Sequence, residues 1–158
     1  MDNPRFYEAL VGEDELGVVV RAHIHIEAGV NALLDQLVPY PDHLPSLEYK
    51  RRVLLACALG LKESLLLPLQ ELGNIRNLFG HQIDTKLTAG MVDKFYESFS
   101  GEDCGALLAA HNVTFPQAPF PNLSPKERFI VLTLDLKLLL DVALEQLIAA
   151  RHPIAEIR

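Results

Sequence analysis

From Glu13 to Val38 the chain meets no proline, and its turn chemistry begins only at Pro39. That segment is far too long for an ordinary strand. Leu16, Val19, Val20, Val30, Leu33, Leu34 and Leu37 recur in it at helical spacing behind an acidic start, the pattern of an amphipathic helix. One stretch inside it, "VRAHIHIE", alternates apolar and polar residues as a half-buried strand would. The length of the whole segment decides for helix.

The remaining periodicity is also helical, and five to six helices are expected. A short one starts near Pro4, since proline suits a first helical turn. After the proline-rich connection "PYPDHLP" (39–45), a third helix runs from about Ser46 to Leu59 and ends at Gly60. A fourth spans about Glu63 to Gly80, with Pro68 tolerated early in it. Thr88 is placed to cap a fifth to about Phe99, and "GEDCGALLAAH" is a candidate short sixth. Four prolines make 112–125 a loop. Beyond it, Ser124, Pro125 and Glu127 form a capping box with proline in the first turn, opening a last helix to about Arg151.

At 158 residues the chain fits one domain, 1–158, with 49% apolar and 22% charged residues. A packed core is expected, not disorder. Cys57 and Cys104 have no CxxC or CxxH companion, so they are expected to be small buried hydrophobes in a reducing cytosol, not a disulfide or zinc set. The start "MDNPRFYEALVGEDE" lacks the basic and apolar runs of a signal peptide, and no apolar run reaches membrane-span length. The expectation is a cytoplasmic protein without a membrane segment or cofactor.

Net charge is −7, which disfavours broad electrostatic binding to nucleic acid. The charge is uneven, at −6 over 1–45, +2 over 46–86 and −3 over 87–158. The one segment that is not acidic contains "IRNLFGH", residues 75–81. Leu72, Ile75, Phe79 and Ile83 share an apolar face there, while Asn74, Asn77 and His81 form a polar stripe. Arg76 and His81 stand about 140° apart on a regular helix. They converge only if the helix breaks at Gly80, or if two copies meet about a two-fold axis.

The three polar residues suit RNA cleavage without metal. His81 is the candidate general base toward a ribose 2′-hydroxyl, Arg76 stabilises charge on phosphorus oxygens, and Asn77 orients. The plainer reading is a histidine placed favourably at a helix C-terminus, with Arg76 in an interhelical ion pair.

"IRNLFGH" resembles the Arg-Asn…His signature of the HEPN superfamily of helical domains. The wider text "YKRRVLLACALGLKESLLLPLQELGNIRNLFGH" (49–81) is similar to the mannitol-operon-repressor-like branch of that superfamily. The similarity is good over 46–86, weaker over 13–38, and covers about half the chain. It implies an up-and-down helical bundle, dimeric, with the motif near the dimer axis. It also implies either metal-independent RNA cleavage by Arg76, Asn77 and His81, or a noncatalytic role in transcription regulation. Toxin members of the superfamily tend to carry tyrosine two residues after the histidine; here Ile83 stands there.

His23 and Glu27, one turn apart, are candidate binding residues on a face otherwise apolar, and Glu27 is placed to orient a catalytic group or pair with Arg76. Lys50, Arg51 and Arg52 are a basic run able to hold a phosphate backbone, though such a run is ordinary for a solvated helix end. Arg21 and His25 are expected on another, solvated face, and Asp135 and Asp141 exposed or capping a seam in the last helix. The partners weighed are a second copy, RNA, and a protein partner such as a regulator or antitoxin. A sequence-specific DNA reader is disfavoured, since no helix-turn-helix pattern is present and the net charge repels a duplex.

Overall fold

The computed structural model describes residues 3–151, all of whose regular structure is helical. Seven α-helices follow in order: α1 Asn3–Val11, α2 Glu15–Leu37, α3 Tyr49–Ala58, α4 Leu66–His81, α5 Ala89–Glu97, α6 Gly101–Thr114 and α7 Pro125–Arg151. The expected count of five to six is too low, because the short candidates at both ends of the count form. α6 starts at Gly101, where Ser100 caps it by accepting from the Asp103 amide, and it runs through Thr114, into the stretch expected to be loop.

Local chemistry sets most boundaries. Asp14 accepts from the Gly17 amide at 2.7 Å and starts α2, so "VRAHIHIE" is helical. α3 ends in paired bonds from Gly60 to the Cys57 carbonyl and from Leu61 to the Ala56 carbonyl, with Gly60 at φ 116°. This is the Schellman arrangement, and the positive φ is why glycine stands there. At α7 the Glu127 carboxylate accepts from both the amide and the hydroxyl of Ser124, while that hydroxyl accepts from the Glu127 amide. The capping box is complete.

α2 and α7 pack most extensively on each other and form the axis of the bundle. α3 and α4 lie on α2, α1 touches both members of the pair, and α5 bridges α4 and α7. The core runs through Ile26 and Leu33 of α2, Leu69, Leu72 and Ile75 of α4, Phe95 of α5, and Phe129, Leu132, Leu136 and Leu140 of α7. Thr133 is buried with them and donates to the Phe129 carbonyl at 2.8 Å. Asp103 ties α6 to the turn before α4. It accepts from Lys62, Ser64 and Ser100 at 2.6–2.7 Å. Burial would raise its pKa, but these hydrogen bonds outweigh burial and hold it at about 2.

Several side chains depart from their expected places. Ile83 is fully exposed because α4 stops at His81, so the apolar face of that helix ends at Phe79. Leu16 and Val20 are exposed, since the buried face of α2 turns through Val19, Ala22, Ile26 and Val30. His25 is half-buried with its ring tilted against that of Phe6 at 4.6 Å, while Arg21 is exposed and pairs with Glu13 at 2.7 Å. Asp141 pairs with Lys137. Asp135 is neither exposed nor capping: one carboxylate oxygen is sealed from solvent without a hydrogen-bond partner, and burial pushes its pKa up to about 7. Cys57 is half-buried and free, and the Cys104 side chain lies outside those described. Among the described residues no helix is long and apolar enough to cross a membrane.

Candidate functional site

Tyr49 opens α3 and fixes how that helix meets α4. Its hydroxyl donates to the Leu69 carbonyl at 2.9 Å, and its ring lies 4.4 Å from that of His23 on α2. The ring can approach because position 73 of α4 is glycine. A Cβ there would stand 2.9 Å from Tyr49 Cε1, closer than packing allows. One aromatic side chain thus joins three helices at a single point.

Above that point lies a cleft of about 490 Å³. α2 contributes His23 and Glu27, and the start of α3 contributes Glu48, Tyr49 and Lys50. The α4 wall carries Gln70, Gly73, Asn74, Arg76 and Asn77. Five of the residues singled out from sequence meet here: His23, Glu27, Lys50, Arg76 and Asn77. Arg76 is exposed and donates to Asn77 Oδ1 at 3.2 Å.

His23 is buried at the base of the cleft. Burial lowers its pKa most; the Glu27 carboxylate, 3.8 Å from Nδ1, works the other way, and the Arg76 charge adds to the lowering. The imidazole is therefore neutral at neutral pH. The Tyr49 phenol is pushed up, by burial first and then by Glu27, and keeps its proton. Neither group brings charge to the cleft. Lys50 and Arg76 are its cations, set against Glu48 and Glu27.

Three expected residues stand apart. Arg52 turns away to α2, donating to Asn31 Oδ1 at 2.9 Å and approaching Glu27 Oε1 at 3.5 Å. The cation paired with Glu27 is thus Arg52 and not Arg76. Arg52 also lines a second cavity, of about 220 Å³, beside Asn31 and Asp35. Arg51 is exposed and outside both cavities. His81 is exposed and lies one turn beyond Asn77 on the polar stripe, about 6 Å further along the axis. Because α4 is unbroken through Gly80, His81 does not swing toward Arg76.

Sequence reasoning missed Tyr49, Gly73, Gln70 and Glu48 as cleft residues, and placed Asn74 on the polar stripe without assigning it to the site. Gly73 offered a signal. A glycine inside a helix costs about 1 kcal/mol relative to alanine, so it marks a close approach of something else. Among the described residues no cluster of His, Cys, Asp and Glu is arranged to hold a metal ion. No family profile, curated protein or solved structure matches the chain.

Proposed function

We propose that the protein is a HEPN-like helical domain that acts on RNA, with Arg76, Asn77 and His81 as the working groups of a metal-independent endoribonuclease completed by a second copy of the chain. The observation that carries this reading is the exposure of all three on the last turns of a continuous α4 that buries Leu72, Ile75 and Phe79. All three side chains stand open to a ligand or a partner, with Arg76 and Asn77 already joined by a hydrogen bond. The unbroken helix holds Arg76 and His81 about 140° apart, so one chain cannot close both on a single phosphate. Two copies about a two-fold axis can present them to one groove.

In that groove His81 takes the proton of the ribose 2′-hydroxyl, and the oxygen attacks the adjacent phosphorus. Arg76 meets the charge that builds on the phosphoryl oxygens, and Asn77 holds the guanidinium as it does here. The P–O5′ bond breaks as the 2′-oxygen adds, the leaving 5′-oxygen takes a proton from water, and His81 returns its proton to solvent, leaving a 2′,3′-cyclic phosphate and a 5′-hydroxyl.

A second reading has its own support. Arg76 and Asn77 line the cleft with His23, and His81 does not. That division suits a noncatalytic module, of the mannitol-repressor-like regulatory type, in which the cleft binds a phosphate-bearing ligand or a protein partner. One experiment separates the two: cleavage of a mixed RNA pool by wild type and His81→Ala, both with chelator, after the variant is checked for fold and assembly. Cutting by wild type and its loss in the variant is the expected result. No cutting by either, with RNA or a partner protein still bound, transfers the weight to the regulatory module.

A further inference from the structure

The α4 wall of the cleft carries three primary amides, Gln70, Asn74 and Asn77, spaced so that they stack along one face of the helix. A site built only to hold a phosphate needs cations and backbone amides. Side-chain amides instead present a donor and an acceptor side by side, the arrangement that reads the edge of a base. Their bonding leaves capacity free. Asn74 donates from Nδ2 to Glu71 at 3.1 Å, which keeps its Oδ1 open. Asn77 accepts from Arg76 through Oδ1, which keeps its Nδ2 open. Among the described residues nothing hydrogen-bonds the Gln70 amide.

The rest of the cleft complements such a ligand. Tyr49 and His23, their rings 4.4 Å apart and tilted by 55°, form an uncharged base to the cleft beneath these amides. Lys50 and Arg76 supply two cations for a phosphate at the same opening. A volume of about 490 Å³ is within the range of sites that enclose a small organic ligand.

We propose that this cleft is a base-reading subsite that takes one unpaired nucleotide, with Gln70, Asn74 and Asn77 on the base edge and Lys50 and Arg76 on the phosphate. The inference rests on the RNA reading above for the source of that nucleotide. It assigns specificity to a part of the molecule distinct from His81.

The test uses the full chain and calorimetric titration with the four nucleoside 5′-monophosphates and with ribose 5-phosphate, which has the phosphate and no base. At least one nucleotide is expected to bind about tenfold or more tightly than ribose 5-phosphate. Gln70→Leu and Asn74→Leu, two substitutions on the solvent side of α4, are expected to erase that preference and leave ribose 5-phosphate binding unchanged. Equal binding of all five compounds, or binding of none, overturns the subsite. A preference that survives both substitutions overturns the assignment to the amides. A single-stranded RNA decamer is then titrated against the bound nucleotide: displacement supports RNA as the source, and its failure overturns that source while leaving the subsite standing. The chelator assay on His81→Ala decides the nuclease reading separately, so either can fail alone.

Discussion

Asp135 is the residue whose surroundings cost the fold most visibly. Its carboxyl sits on the longest helix with one oxygen sealed and unpartnered, and burial lifts its pKa to about 7 from an ordinary value near 3.8. The folded state therefore holds this proton more tightly than the unfolded chain, and folding takes one up between those two values. Stability contributed at this position falls as pH rises from about 4 to about 7 and then levels, a change on the order of 4 kcal/mol. Asp135→Asn removes the titration. Denaturation midpoints followed across that range should converge at the acidic end, with the variant more stable at pH 8; a constant gap between them would contradict the assignment. The sequence did carry a signal: Lys137 stands four residues before Asp141 and pairs with it, while Asp135 has only Val131, Leu132, Leu138 and Leu139 at helical-neighbour positions. Tyr49 carried no such signal. Its role comes from Leu69, Gly73 and His23, residues of two other helices, whereas Arg76 and Asn77 could be singled out as candidates because they stand side by side in one short stretch.

Elements were read best where their ends carry their own chemistry. The start of α7 was legible to the residue because the serine and glutamate of its capping box bond only each other's backbone and side chains. Ser124→Ala should lower stability by about 1 kcal/mol, read as a shift in denaturation midpoint with unchanged steepness. Ser124→Asp should restore most of it. α4 was harder. The apolar spacing that continues to Ile83 overran its end, since periodicity reports which face would be buried and not whether anything is there to bury it. α3 begins at Tyr49, later than expected: the chain from Leu44 to Glu48 forms no helix, Glu48 is extended, and no side chain caps the helix.

At the scale of the molecule, the helical class was legible from the proline-free segment that became α2, while the helix count was not. The proposed second copy was argued from angles on one helix, and it has a consequence that needs no substrate. Sedimentation should show a dimer, and RNA cutting per chain should fall on dilution below the dimer's dissociation constant; a monomer with undiminished specific activity would refute the shared groove. The packing of α2 against α7 bears on a different stage of the protein's life. The two helices stand far apart in the chain, and Lys126 at the start of α7 reaches across to the Glu13 carbonyl just ahead of α2. A ribosome adding 5–20 residues per second makes the roughly 90 residues between them in about 5–20 s. Until α7 follows, the part of α2 that meets it, Gly29 against Leu140 among its contacts, stays uncovered. The exposure of that face to aggregation and to chaperones is therefore set by chain order, and lasts until α7 has been made.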